Sequence, residues 1–124
     1  MTTIQQQLDL IAKCSQDKIG VTRYSFTREH KQALKIIKSW MLAAGLTVSI
    51  DDAGTLIGEL KSHNKKAKTL LLGSHQDTVK HGGKYDGIMG VLLPILTIKN
   101  IQKKNIQLPF HVQVLAFADE EGMR

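Results

Sequence analysis

Between Thr69 and Ala118 the chain reads as strand, helix, strand, and this pattern restricts the fold more than any other stretch. "TLLLGS" is short, apolar and ends in a glycine and a serine, as a buried strand does. "GIMGVLLPILTIKN", from Gly87 to Asn100, is apolar on nearly every face and too long for a typical strand. It is expected as a buried helix, kinked at Pro94 because proline removes one helical hydrogen bond. "FHVQVLAFADEEG" supplies the second strand, from Phe110 to about Ala118. Crossovers of this kind join parallel strands with a right-handed connection. The fold class is therefore α/β, with a mixed, mainly parallel sheet flanked by helices.

The residues upstream fit this frame. Ile4, Leu8 and Ile11 recur at helical spacing and predict a short amphipathic helix. Thr27 is placed to cap a second helix over Arg28 to Ala44, with Leu34, Ile37, Met41 and Leu42 as its apolar stripe. Gly45 followed by Leu46 predicts a Schellman stop. "TVSIDDAGTLIGEL" alternates apolar and polar residues around a turn at Asp51 to Gly54, which predicts a hairpin.

Ligands of an open α/β sheet bind beyond the carboxyl ends of its parallel strands. His75 and Asp77 follow the first crossover strand, Asp119, Glu120 and Glu121 follow the second, and Asp86 opens the helix between them. If the two strands are neighbours, their ends lie about 5 Å apart. Crowded carboxylates repel one another, and a cation offsets that repulsion. Imidazole with carboxylate oxygen suits zinc, manganese or cobalt. In an extended "HQD" the side chains of His75 and Asp77 point to one side, so Asp77 can orient the His75 ring. The adjacent Glu120 and Glu121 point apart in an extended chain, which leaves one to bind metal and the other to act on water. Plainer readings stand beside these: Asp86 as a helix N-cap, "DEEG" as a helix start or turn, and His81 as a solvated loop histidine. His30, His63 and His111 have no acidic companions at useful spacing and read as structural or surface residues.

Composition narrows the alternatives. A length of 124 residues with 42% hydrophobic residues supports one packed domain. The net charge of +6 is spread along the chain, and its densest cluster, "KSHNKKAK", interleaves no aromatic, so nucleic acid is not the expected partner. The longest apolar run, Ile88 to Ile98, contains Pro94 and Thr97 and does not read as a membrane span. The opening "MTTIQQQLDLIAKCSQ" lacks a signal-peptide pattern, so a cytoplasmic protein is expected. Cys14 has no disulfide partner within the chain and reads as a small buried residue.

Taken together, "GSHQDTVKHGGKYDGIMGV" and "VLAFADEEGMR" resemble the dinuclear metal amidohydrolases of the hydantoinase/carbamoylase group. That group includes N-carbamoyl-L-amino-acid hydrolases and allantoate amidohydrolases, within the larger aminoacylase and carboxypeptidase superfamily. "TRYSFTREHKQALKIIKSWMLAAGLTVSIDDAGTLIGEL" resembles the same group. The resemblance implies a zinc-aminopeptidase/aminoacylase-like catalytic domain and two divalent metal ions, zinc or else manganese, cobalt or nickel. It implies that His75 binds one metal, Asp86 bridges the two and Glu121 binds the other, with Glu120 as general base and Asp77 orienting His75. The reaction implied is hydrolysis of a linear amide, the ureido C–N bond of an N-carbamoyl amino acid or of allantoate.

Thr55 stands where the family commonly has Asn, and Met123 where it commonly has Ser. Ile88, Met89 and Pro94 replace smaller or less disruptive residues usual in that helix. Family members are much longer, so residues 1–124 are expected to be the N-terminal portion of the catalytic domain. Two further histidine ligands, the dimerisation domain of a homodimeric parent and the C-terminal part are then absent. Such a chain alone is expected to be inactive and to self-associate through its strand edges. The alternative is a non-catalytic binding or assembly module derived from a truncated amidohydrolase.

Overall fold

The computed structural model describes residues 2–123. Among them are three helices, α1 (Ile4–Ala12), α2 (Arg28–Ala43) and α3 (Ile88–Lys103), and four strands, β1 (Thr47–Ile50), β2 (Leu56–Leu60), β3 (Thr69–His75) and β4 (His111–Phe117). The strands form one sheet in the order β1-β2-β4-β3.

Local signals set the helix ends. The Thr27 hydroxyl accepts the N–H of His30, capping α2 as expected. At the other end the N–H of Gly45 reaches the Leu42 carbonyl and that of Leu46 the Met41 carbonyl, the bond pair of a Schellman stop. Asp51 organises the hairpin turn, its carboxylate accepting the N–H groups of Ala53 and Thr55. The helix α3 continues through Pro94 to Lys103.

The crossover from β3 through α3 to β4 is present, and β3 and β4 are parallel neighbours in register from Thr69 opposite His111 to His75 opposite Phe117. The sheet is mixed, but the parallel relation is confined to this pair. The turn after β1 reverses the chain, so β1 and β2 are antiparallel, and β2 joins β4 antiparallel as well. "Mainly parallel" thus describes the crossover and not the four strands together.

All three helices pack on one face of the sheet. Leu8 and Ile11 of α1, Ile37 and Met41 of α2, and Val91, Leu92 and Ile95 of α3 share one core with Val112, Val114 and Ala116 of β4. Strand alternation puts Leu71, Leu115 and Phe117 on the opposite face. Leu71 and Phe117 there are 59% and 40% exposed. The apolar α3 is not buried all round, since Met89 and Leu93 stay exposed. Among the described residues no helix is long and apolar enough to cross a membrane.

Candidate metal centre

The adjacency of β3 and β4 brings both polar motifs to one rim. His75 ends β3 opposite Phe117, which ends β4, and the acidic residues begin two positions later. The backbone turns there with Asp119 in the left-handed region, at φ 61°. The extended chain assumed for Glu120 and Glu121 is therefore absent. In its place, His75, Glu120 and Glu121 each offer a ligand atom, and these lie within 4.8 Å of one another.

His75 is poised as a ligand by its tautomer. Its Nδ1 lies 2.9 Å from the backbone carbonyl of Asp77, which accepts a hydrogen bond from the Nδ1–H and leaves the Nε2 lone pair free to bind a metal. Nε2 faces Asp86 Oδ1 and Glu120 Oε2, each at 3.7 Å. Two ligands of one zinc ion, each bound at about 2.1 Å in tetrahedral geometry, lie about 3.4 Å apart. The donor set and its spacing fit a divalent cation with little movement. His75 is mostly shielded, whereas Asp86 and Glu120 are more than half exposed, so the rim opens to solvent on the carboxylate side.

Asp77 orients His75 through its backbone carbonyl rather than its carboxylate, which stays 3.8 Å from Nδ1. The carboxylate, almost fully buried, has a different task. It accepts the N–H of Glu120 at 3.3 Å and of Glu121 at 3.0 Å, so it fixes the acidic turn against the end of β3.

Asp86 is not a helix cap. The N-cap of α3 is Gly87, with no side-chain cap bond, and the Asp86 carboxylate is turned toward His75. Gly87 has φ 69°, and a Cβ there would stand 2.5 Å from the His75 ring. Glycine is needed at that position for both conformation and space.

The remaining histidines are elsewhere. His81 pairs with Asp17 at 3.1 Å in a half-exposed loop contact. His111 Nδ1 accepts the N–H of Ser62, and buried His30 Nδ1 accepts that of Phe26. Burial lowers the pKa of His30, and burial raises that of the Cys14 thiol, in keeping with structural roles.

Sequence reasoning missed the buried Arg23. Its Nε donates to the Gln76 carbonyl at 2.7 Å and its Nη1 to the carbonyls of Ile11 and Cys14. Burial lowers its pKa to about 10, so the guanidinium is still charged at neutral pH. Nothing in the periodicity of "VTRYSFT" marks this residue, because its partners are carbonyls distant in sequence.

The α/β sheet thus presents an imidazole and several carboxylates beyond the carboxyl ends of adjacent parallel strands, where a sheet of this kind binds its ligands. No protein-family model matches the chain. It is 39% identical over 119 residues to the N-carbamoyl-L-amino-acid amidohydrolase of Pseudomonas sp. (strain NS671), covering 96% of this chain and 28% of that protein. It is 35% identical over 105 residues to the allantoate amidohydrolase of Bacillus subtilis (strain 168), covering 85% of this chain and 26% of that protein. The crystal structure of a hydantoinase/carbamoylase family amidase from Burkholderia ambifaria superposes with a TM-score of 0.91 at 28% identity, covering 97% of this chain and 30% of that one. The chain belongs to the hydantoinase/carbamoylase group of amidohydrolases, and it spans less than a third of the length of these relatives.

Proposed function

We propose that this segment forms one wall of a two-metal site that hydrolyses the ureido C–N bond of an N-carbamoyl amino acid or of allantoate. The observation that carries the reading is the convergence of His75 Nε2 with the carboxylates of Asp86, Glu120 and Glu121 at one rim. The names of the relatives supply the substrate class: one is an N-carbamoyl-L-amino-acid amidohydrolase and another an allantoate amidohydrolase.

In this reading His75, Asp86 and Glu121 hold two divalent ions, zinc or else manganese, cobalt or nickel. Bound there, such ions would supply Lewis acidity and a more acidic water. Glu120, more than half exposed beside His75, takes the proton from that water and passes it to the departing nitrogen. Asp77 keeps Glu120 in place through the backbone N–H it accepts. A zinc site takes three or four protein ligands, so two ions need more donors than the three-residue group found among the described residues. The complete site then includes further ligands from a longer polypeptide, a cytoplasmic homodimer acting on a small ureido substrate, and the 124-residue chain alone is inactive.

The test compares metal content and turnover in the longer polypeptide carrying this segment, with N-carbamoyl amino acids and allantoate as substrates. Glu121→Gln should lose metal, whereas Glu120→Gln should keep metal and lose turnover by a factor of about 100 or more. Unchanged turnover in Glu120→Gln would overturn its role as base. Metal-dependent ammonia release by the 124-residue chain alone would overturn the statement that it is inactive.

A further inference from the structure

The acidic turn is held from two sides, and only one of them belongs to the motifs. Three successive backbone N–H groups point out of it. Those of Glu120 and Glu121 go to the Asp77 carboxylate, and that of Asp119 goes to the hydroxyl oxygen of Ser25 at 2.7 Å. Ser25 is 5% exposed and lies in the segment between α1 and α2.

That segment runs behind both site loops. Val21 and Gly82 exchange two backbone hydrogen bonds of 2.9 Å. The Arg23 N–H donates to Thr78 Oγ1 at 2.8 Å, and the Thr78 N–H returns to the Arg23 carbonyl at 3.0 Å. Residues 21–23 thus anchor the strap on the loop after β3. Ser25, two positions on, meets the loop after β4.

The bond to Ser25 stabilises an otherwise unfavourable backbone. Asp119 sits at φ 61°, a region that a residue with a Cβ occupies reluctantly. Removing the hydroxyl leaves its N–H without that acceptor in a part-buried position. Relaxation toward extended backbone would send the side chains of Glu120 and Glu121 to opposite sides. His75 would then face one of them at most.

We infer that Ser25 is a positioning residue of the metal centre, whose hydroxyl oxygen fixes the turn in which Glu120 and Glu121 both face His75. The inference rests on the metal-site reading proposed above, while its effect on the turn is measurable without metal.

The experiment uses the 124-residue chain and its Ser25→Ala and Ser25→Thr variants. Amide hydrogen exchange is followed by NMR in metal-free buffer, and Co²⁺ is titrated into the longer polypeptide carrying the same substitutions, with its visible absorption recorded. Ser25→Ala should speed exchange at Asp119, Glu120 and Glu121 by about tenfold while β3 and β4 keep their protection. It should weaken Co²⁺ binding by about tenfold or more, and Ser25→Thr, which keeps the hydroxyl, should restore both. If Ser25→Ala does not fold, Ser25→Cys, a weaker acceptor, gives the same comparison. Unchanged exchange at the acidic turn, or exchange that rises equally throughout the sheet, overturns the positioning role. A longer polypeptide whose acidic turn is protected by Ser25 but which takes up no Co²⁺ instead overturns the metal-site reading.

Discussion

The Asp77 carboxylate accepts the backbone N–H groups of two residues more than forty positions away, Glu120 and Glu121, and so couples the end of β3 to the acidic turn after β4. Its own backbone carbonyl meanwhile fixes the His75 ring. One residue therefore sets the tautomer of the imidazole and the direction of the carboxylates. Asp77→Asn keeps the shape but replaces one acceptor oxygen by a donor, which opposes one of the two N–H groups. Divalent metal affinity should fall by about 10- to 100-fold, read by calorimetric Zn²⁺ titration. An affinity within twofold of wild type would show that the carboxylate does not hold the turn.

Gly87 separates Asp86 from α3 and touches the His75 ring. A Cβ at this position would lie 2.5 Å from the ring and 2.6 Å from the His75 carbonyl, at a φ of 69° that disfavours any side chain. Gly87→Ala should destabilise the chain by about 2 kcal/mol or more, from the backbone term with the clash added. The midpoint of urea unfolding checks this. A midpoint equal to wild type would mean that His75 can move aside freely.

The parts of this fold that were legible in the sequence are those set by local rules. Thr27 and Gly45 bound α2 because caps act over three or four residues, and the crossover was readable because a strand–helix–strand unit has one favoured handedness. The parallel rule governs β3 and β4, and the turn at Asp51 to Gly54 marks β1 and β2 as an antiparallel pair. Reading Glu120 and Glu121 as extended chain sends the two glutamates apart, because a left-handed Asp119 carries no signature in "ADEEG". The Ser25 contact was invisible for another reason. It joins residues 94 positions apart, and a serine before an N-cap threonine looks like any polar linker.

His30 makes stability depend on pH. Burial holds its folded-state pKa below the usual histidine value, with Arg23 and Lys31 lowering it and Asp77 partly opposing them. Its neutral Nδ1 accepts the Phe26 N–H, which a protonated ring cannot do. As pH falls below about 6.5 the unfolded chain takes up a proton that the folded chain refuses, so stability declines until the lower folded pKa is reached. The slope from this residue is at most about 1.4 kcal/mol per pH unit. His30→Asn should flatten the decline below about pH 6.5 in urea melts, and an undiminished slope in that variant would assign the pH dependence to other groups.

Leu71 lies on the helix-free face of β3, 59% exposed, and β3 is an edge strand among the described residues. Leu70 on the same strand is 44% exposed, and the Phe117 ring of the neighbouring strand reaches over Gly73, two positions along from Leu71. An edge with free N–H and C=O groups and apolar side chains on both faces pairs readily with another copy of itself. The 124-residue chain should therefore show a concentration-dependent rise in sedimentation coefficient. Leu71→Lys places a charge on the exposed face without touching the core and should return the chain toward monomer. A wild-type chain that stays monomeric across the micromolar to millimolar range would mean that the twist of β3 alone keeps this edge from pairing.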